Sequence, residues 1–443
     1  MGTRSIRRLA LAAAFGMVPL FAFPPAASAA DRSQVRSEAL SPKFDHAARS
    51  VVPHALPAAP LAPSAAPTCQ PNFSVEPTPT ATGNSELTAT AAVSGTDIWA
   101  VGDHKLASGI FQTLAEHWNG SSWSMVPTPN VGGGDNFLLS VAAIGTADVW
   151  AVGISQVNNT SLRSTLTEHW DGTAWTVVAS PNVATKSNSL FGVRAIATNN
   201  VIAVGRAESS NTIGQTLAEQ WNGTSWTVMT TANGAESFNE LSALTVISAT
   251  NVWAVGDRTS DASTYLTLTE HFDGSTWSLV ASPNLGIMNG YGSALYGVGG
   301  SAANDVWAVG AWFAAVTGGV NHYTVIEHYD GTAWSVVSSP SAGTDNDLFS
   351  VVALSASNAW TVGTNYSTAA DTTVVEHYDG TSWSAVSSGN AGVGSGLFDA
   401  GAQLGHLAID VRSLGPQTLV GLVPLGLWFL GVGVHVLALY AIG

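Results

Sequence analysis

A unit of roughly 50 residues is written six times between Asp97 and Trp383. Its clearest copy reads DVWAVG from Asp148, then a variable stretch, then TLTEHWDGTAWTVVASPN ending at Asn182. The tryptophan that closes each copy recurs at intervals of 52, 51, 51, 57 and 49 residues. Self-similarity at such a period is typical of repeat architectures, in which each copy is one structural unit. The repeat therefore constrains the fold more than any single residue does.

Each copy holds four short segments rich in Val, Ile, Leu, Thr and aromatic residues. In the second copy these segments begin near Phe137, Val149, Thr165 and Ala174. They lack the 3.6-residue apolar stripe of a helix, and Asp171-Gly172 between the last two predicts a tight hairpin. Four antiparallel strands per copy describe one blade of a β-propeller, which must stack on neighbouring blades to bury its apolar faces. The sequence predicts an all-β propeller domain over 71–403.

The number of blades depends on the two ends of the repeat region. Phe73–Thr80 resembles the fourth strand of a blade, and Gly396–Ala402 resembles a first strand. Propellers often join strands from both termini in one blade, which leaves no open seam. We therefore predict a seven-bladed ring whose last blade is composite. Six blades with a stray N-terminal strand is the alternative.

The N-terminal region predicts export. In residues 1–29, Arg7 and Arg8 precede an apolar run, and Ala27-Ser28-Ala29 offers a small-residue cleavage site, as in a secretion signal. Residues 30–70 are rich in Ala and Pro and predict an extended linker. We expect an extracellular protein, or one on the outer face of the cell membrane.

The C-terminal region changes character abruptly. After a linker at 404–417, residues Thr418–Gly443 carry no charge and are long enough to span a bilayer as a helix. This segment predicts a membrane anchor and hence membrane association. Two alternatives stay open: the segment forms the remaining strands of the last blade, or it results from a shifted reading frame.

Composition excludes some partners and limits others. Residues 71–396 contain 25 acidic residues against 6 Lys and Arg, and this charge repels phosphate backbones, so we expect no nucleic-acid partner. The single cysteine, Cys69, permits no internal disulfide. Asp345 and Asp347 are weak candidate ligands for calcium, which takes oxygen ligands, although they lack a full loop pattern. No other cofactor is expected.

The residues repeated in every copy are interpreted as structural. Neighbouring strand residues point to opposite faces, so Glu168 and His169 cannot converge on one ion. Buried polar groups of this kind more often bond neighbouring strands, and Trp150 and Trp175 suit packing between blades. No motif for a serine, cysteine or zinc hydrolase is present, which favours a protein that is not an enzyme.

The candidate binding site lies where the repetition fails, in the fifth copy. Its lead-in, Leu285–Ser293, is enlarged, and the stretch Ala311–Tyr323 is predicted to be an inner loop. Exposed loop aromatics can stack on sugars or anchor protein partners. Whether both irregular segments lie at one end of the ring is left open. The candidate ligand-binding residues are Tyr291, Trp312, Phe313, His322 and Tyr323.

The DVWAVG and HWDGTxWS units resemble those of secreted bacterial β-propeller repeat proteins, related in outline to kelch, tectonin and BNR-type repeats. The resemblance covers about Phe73 to Ser388. The kelch Gly-Gly doublet and the BNR SxDxGxTW box are absent, so the resemblance implies a fold and transfers no functional residues. Propellers of this kind include lectins, interaction scaffolds and some hydrolases.

Three functions remain. We favour a non-catalytic binding module at the cell exterior that recognises a glycan or a protein through loops on one ring face. The alternative is a secreted glycosidase-like hydrolase with carboxylates at the ring channel, for which unpaired carboxylates about 5–10 Å apart would be needed. A structural surface protein is the third.

Overall fold

The computed structural model describes the repeat region and short parts of the tail. The described residues are 79, 85–156, 162–210, 213–260, 264–286, 290–316, 319–340, 345–366, 372–388, 395–403, 406–413, 418–420, 425–429, 432–438 and 440–442. The predicted secretion signal (1–29), the linker (30–70) and Cys69 lie outside them. So does the predicted strand Phe73–Thr80, apart from Pro79.

Six four-stranded antiparallel blades follow one another along the chain. Blade 1 contains β1 (Ser85–Ser94), β2 (Asp97–Lys105), β3 (Phe111–Trp118) and β4 (Trp123–Val126). Blade 2 contains β5 (Asn136–Gly145), β6 (Asp148–Gln156), β7 (Arg163–Trp170) and β8 (Trp175–Val177). Blade 3 contains β9 (Ser187–Ala197), β10 (Asn200–Ser210), β11 (Ile213–Trp221) and β12 (Trp226–Met229).

The next three blades have the same order. Blade 4 contains β13 (Phe238–Ser248), β14 (Asn251–Thr259), β15 (Tyr265–Phe272) and β16 (Trp277–Leu279). Blade 5 contains β17 (Gly290–Ala302), β18 (Asp305–Val316), β19 (Gly319–Tyr329) and β20 (Trp334–Val337). Blade 6 contains β21 (Asn346–Ser355), β22 (Asn358–Asn365), β23 (Thr372–Tyr378) and β24 (Trp383–Ala385).

A seventh sheet follows blade 6. Its strands lie in the order β25, β26, β29, β28, and a separate two-stranded sheet pairs β27 with β30. The strands are β25 (Ser395–Gln403), β26 (His406–Ser413), β27 (Thr418–Val420), β28 (Leu425–Phe429), β29 (Val432–Ala438) and β30 (Tyr440–Ile442). The pair β25–β26 is antiparallel, as in the other blades, whereas β26–β29 is parallel.

The blades form a closed ring. The first strand of each blade contacts the first strand of the next, from β1 through β5, β9, β13, β17 and β21 to β25, and β25 in turn contacts β1. The predicted propeller is therefore confirmed, and β25 is the first strand predicted at Gly396–Ala402. The composite character of the last blade stays a prediction, since its N-terminal strand falls outside the described residues.

The tail is described only in part, and the predicted transmembrane helix stays a prediction. The described parts of Thr418–Gly443 are the strands β27 to β30, and two of these strands extend the seventh sheet. In the part of the chain that the structure describes, no helix has the length and apolarity to cross a bilayer. Membrane association stays a prediction.

Two glycines in each repeat permit the backbone path. Gly172, in the predicted hairpin, has a φ of 92°, which the Asp-Gly turn requires. Gly153, in β6, faces a register shift between Leu138 and Ser140 of β5, and a Cβ there would lie 2.0 Å from the carbonyl oxygen of Phe137. The Gly of the AVG motif therefore lets the first two strands approach at this bulge.

The apolar core lies in the seams between blades. Trp150 of blade 2 packs against Trp221 and Trp226 of blade 3, at ring-centroid distances of 4.8 and 5.3 Å. Trp99 of blade 1 meets Trp175 of blade 2 edge-on at 5.2 Å. Each repeat thus contributes its tryptophans to the seam with its neighbour, and the ring needs the repetition for its packing.

Candidate functional site

Both irregular segments of blade 5 lie at one end of the ring. At this loop end, the second and third strands of each blade are joined, and the chain crosses from one blade to the next. Gly290 pairs with Ala314, and Ser293 pairs with Trp312, between β17 and β18. The Leu285 N–H donates to Ser293 Oγ over 2.8 Å, which ties the lead-in to the strand. The sequence left open whether both irregular segments lie at one end of the ring. The register of β17 on β18 shows that they do.

Trp312 and Tyr323 form a stacked pair at the loop end. They are direct partners across β18 and β19, with ring centroids 4.4 Å apart and planes at 18°. Both side chains are half-buried, and the Asn321 amide donates to Tyr323 Oη over 3.3 Å. A Cβ at Gly286 would lie 2.8 Å from Trp312 Cε3, so the lead-in borders the indole. One partly exposed aromatic platform results.

The stretch Ala311–Tyr323 is mostly strand, which corrects the prediction of an inner loop. β18 runs to Val316, and β19 begins at Gly319, so the hairpin of blade 5 is simply longer than those of its neighbours. The physical reason is that Trp, Phe, Val and Tyr suit a pleated hairpin surface. Strand alternation then separates the predicted site residues onto two faces.

Phe313 and His322 lie on the opposite face and are buried. Each is 6% exposed, and their rings meet edge-on at 4.7 Å. Phe313 belongs to an apolar group that spans blades 4, 5 and 6, which we call the aromatic cluster. Its rings are those of Tyr265, Tyr291, Tyr296, Phe313, Phe349 and Tyr366. Tyr291 is therefore a half-buried member of this cluster, and it does not join the Trp312–Tyr323 stack.

Asp345 and Asp347 connect blade 6 to blade 5 through His322. His322 Nδ1 lies 2.8 Å from Asp347 Oδ1, and the His322 N–H donates to Asp345 Oδ1 over 3.3 Å. The Asp345 N–H donates back to the His322 carbonyl over 2.7 Å, and the Tyr366 N–H donates to the Asp345 carbonyl over 2.7 Å. These contacts hold the junction between the blades.

Asp345 and Asp347 do not form a metal-binding arrangement with the other described residues. Among the described residues, no group of three or more His, Cys, Asp or Glu side chains is placed to hold a metal ion. Asp347 is fully buried, and one of its oxygens is hydrogen-bonded to His322. Calcium binding at Asp345 and Asp347 stays a prediction.

A buried ionic cluster between blades 3 and 4 escaped the sequence analysis. The Arg206 Nη1 donates to Glu240 Oε2, and Arg206 Nε lies 2.5 Å from Glu208 Oε1 as an ion pair. The guanidinium carbon also lies 5.4 Å from the ring centroid of Phe191 and 5.2 Å from that of Phe238. A sequence signal existed: the residue after the AVG or TVG motif is charged, polar or apolar in different copies, while the preceding residues barely change.

Two further buried groups border this cluster. Burial raises the pKa of Asp257 well above its ordinary value, Glu240 raises it further, and Arg206 opposes the shift. Tyr296 is fully buried, and burial is the largest cause that raises the pKa of its phenol. The charges of Asp347 and Asp257 raise this pKa further. Its hydroxyl has no hydrogen-bond partner in the described part of the chain. The carboxyl groups of blades 4 and 6 therefore both influence one phenol of blade 5.

The repeated histidines form hydrogen bonds within their blades. His169 Nε2 lies 2.8 Å from Asp148 Oδ1, and the imidazole lies over Trp150 with ring centroids 4.4 Å apart. In blade 3, Gln220 Nε2 donates to Asn200 Oδ1 over 2.8 Å, so the polar link survives the loss of the histidine. The imidazole contacts are structural and converge on no shared site.

Comparisons with known proteins give distant fold similarities. No protein-family model matches the chain, and the search of curated proteins found no match. The structure of YCF48 bound to a D1 peptide has a TM-score of 0.47 at 13% identity, with 84% of this chain and 97% of that chain covered. The GH74 xyloglucanase of Xanthomonas campestris has a TM-score of 0.45 at 12% identity, with 72% of this chain and 47% of that chain covered.

A fungal lectin from Aleuria aurantia, with a six-bladed β-propeller fold, has a TM-score of 0.37 at 17% identity; the coverage is 57% of this chain and 78% of that chain. These identities are too low to transfer a ligand, an activity or a residue role. The finer resemblance to kelch, tectonin and BNR-type repeats stays a prediction.

Proposed function

We propose that this chain is a non-catalytic binding module exposed at the cell exterior, and that its ligand contacts the loop end of the ring at Trp312 and Tyr323. The observation that carries the proposal is the stacked, half-buried pair of rings, 4.4 Å apart, beside the enlarged lead-in of blade 5. Aromatic rings of this kind supply apolar contact area with a polar edge.

The surroundings of the pair favour a glycan over a protein as the first ligand to test. The Asn321 amide lies next to Tyr323 Oη, so donors and acceptors stand beside the rings. A flat ring with neighbouring amide and hydroxyl groups matches the alternating apolar faces and hydroxyls of a sugar. A protein ligand that anchors on the same rings is the alternative within this proposal.

Two carboxyl groups at the loop end are held in buried pairs, and this supports binding more than hydrolysis. A glycosidase needs two carboxyl groups that reach the substrate and act as acid and base or nucleophile. At the loop end, Glu240 is bound to Arg206 and Asp347 to His322, and both carboxyl groups are buried. Such groups are committed to the protein interior.

The test is a glycan array with the purified full chain, followed by titration of the best ligand with variants. We expect Trp312→Ala and Tyr323→Ala each to weaken binding about tenfold, since loss of a central aromatic contact costs roughly 1–2 kcal/mol. The matched control is Leu279→Ala, an apolar side chain 46% exposed on the outer strand of blade 4, which should bind normally.

Two outcomes contradict the proposal in different ways. If the array shows no binding, the glycan version fails, and the protein ligand is tested next with the same variants. If a ligand binds but Trp312→Ala and Tyr323→Ala bind it as tightly as the unmodified chain does, the site lies elsewhere on the ring.

A further inference from the structure

Each complete blade places one buried glutamate at the same point of its third strand. The residue precedes the repeated histidine, or Gln220 in blade 3, and points to the opposite strand face. Its exposure is 0 or 1% in every copy. The six are Glu116, Glu168, Glu219, Glu270, Glu327 and Glu376.

In two blades, hydrogen bonds place this glutamate in the seam with the preceding blade, and the repeat puts the other four at the equivalent position. Glu376 of blade 6 accepts hydrogen bonds from Ser339 Oγ, which follows the last strand of blade 5, over 2.8 and 3.1 Å. Glu270 of blade 4 likewise accepts from the N–H of Ala232, which follows the last strand of blade 3, over 3.2 Å. Hydroxyl groups beside these positions are hydrogen-bonded to each other. The Thr324 hydroxyl, for example, donates to Ser339 Oγ over 2.9 Å. Both carboxyl groups thus face the preceding blade.

Three of these carboxyl groups lack polar contacts in the described part of the chain. For Glu168, Glu219 and Glu327, neither carboxyl oxygen has a hydrogen-bond partner among the described residues. An ionised carboxylate without partners in a dry environment costs several kcal/mol, so the group takes up a proton instead. The geometry alone therefore favours the neutral acid in these seams.

The pKa shifts of these glutamates and their causes also favour the neutral acid. Burial is the only cause that shifts the pKa of Glu116, Glu168, Glu219 and Glu327, which rises to about 8 in each. The pKa of Glu270 rises to about 7, because the Ala232 N–H and the Thr216 hydroxyl partly offset its burial. Among the described residues, no charged side chain on a neighbouring element contributes to any of these five shifts.

We propose that the seams of this ring are closed by neutral glutamic acids, so that ring stability is coupled to proton uptake and the seams weaken as the pH rises. Ionisation puts an unpaired charge between two packed blades, and water must enter the seam to solvate it. This device is independent of the proposed ligand site.

The direction in which stability changes with pH follows from the difference in proton binding between the folded and the unfolded chain. A carboxyl group whose pKa is higher in the folded chain than in the unfolded chain binds more protons when folded. Its stabilising contribution is complete below the ordinary glutamate pKa of 4.5 and is lost as the pH rises to about 8. The half-buried histidines His271 and His377 act oppositely: burial lowers the pKa of each imidazole, so their contribution is lost as the pH falls.

The test compares denaturant midpoints of the full chain between pH 5 and pH 9. The variant carries Glu168→Gln, Glu219→Gln and Glu327→Gln, which keep the shape of the acid and cannot ionise. We expect the midpoint of the unmodified chain to fall as the pH rises, and that of the variant to fall much less. Asp171→Asn is the matched control, because Asp171 is a fully exposed hairpin residue and Asn119 occupies its place in blade 1.

A second measurement keeps the proposal falsifiable if the triple variant does not fold. The infrared carbonyl band of protonated carboxylic acids should be present in the unmodified chain at pH 6 and weaker in the single variant Glu168→Gln. A midpoint that is flat with pH, a slope unchanged by the Gln substitutions, or the absence of that band would each overturn the proposal.

Discussion

At the scale of single residues, the third copy differs from the others in its polar link within the blade and in the contacts of its seam with blade 4. In blade 3, Gln220 with Asn200 replaces the usual histidine link, and Ile202 packs in the seam group that contains Phe272 and Trp277 of blade 4. The same seam also holds the ion pair between Arg206 and Glu240. The copy that departs from the repeated histidine and tryptophan therefore carries a buried charged junction.

Removing Arg206 should be severely destabilising. Arg206→Ala leaves Glu240 buried without its cation, while Glu208 keeps Lys186 at 3.6 Å, and the loss of one partner of a buried pair costs about 3–5 kcal/mol. The free energy of unfolding from urea titration measures the effect. Arg258→Ala is the control: Arg258 is 27% exposed in its pair with Glu236, and the cost of losing such a partly exposed pair is about 1 kcal/mol or less. Equal losses in the two variants would contradict the role given to Arg206.

At the scale of secondary-structure elements, the repeated AVG motif is explained by the bulge on the first strand. Every blade from 1 to 6 has a glycine at this point of its second strand, and a Cβ there would lie 1.9–2.0 Å from a carbonyl oxygen of the first strand. Periodicity of the sequence predicts the strands, while the reason for the glycine appears only in their register.

A substitution at this glycine should therefore be costly. Gly153→Ala forces β5 and β6 apart, and overpacking of this kind costs about 1–3 kcal/mol or more. Gly145→Ala in the same blade is the control, because a Cβ there meets nothing within 4 Å. We expect the control to be neutral or slightly stabilising. Thermal denaturation compares the two, and a stable Gly153→Ala variant would contradict the bulge argument.

At the scale of the whole molecule, the basic residues are distributed unevenly between the two ends of the ring. Five of the six Lys and Arg residues of the propeller lie near the loop end: Lys105, Arg163, Lys186, Arg206 and Arg258. The opposite end carries exposed hairpin aspartates, and hydrogen bonds from Thr173 and its neighbour lower the pKa of Asp171 to about 2. At the loop end these cations pair with carboxyl groups, Arg206 with Glu208 and Glu240 and Arg258 with Glu236, so acidic groups are present at both ends of the ring.

Ring closure depends on the seventh sheet. β25 contacts both β21 and β1, so a chain that ends at Ser388 would leave the faces of blades 1 and 6 uncovered. We expect this truncation to aggregate or to lose cooperative unfolding, as measured by gel filtration and thermal denaturation. A chain that ends at Ser413 keeps β25 and β26 and should stay monodisperse. If both truncations behave alike, β25 does not close the ring.

The candidate site could be predicted in part. The irregularity of the fifth copy identifies Trp312 and Tyr323, because a departure from a repeat is visible in the sequence. Their separation from Phe313 and His322 was not visible, because it depends on the hairpin continuing as strand beyond the usual length. The Arg206 cluster was missed because its members come from separate blades.

The sequence by itself determined the blade unit, because the spacing of apolar runs, hairpin turns and tryptophans is a local property of each copy. It also predicts that function lies outside the repeated residues, and this stays a prediction. Only the tertiary structure decided which end carries both irregular segments, which aromatic rings are covered, and which carboxyl groups meet a cation. These properties arise when strands distant in sequence come into register across a seam, and the burial of each group depends on that contact.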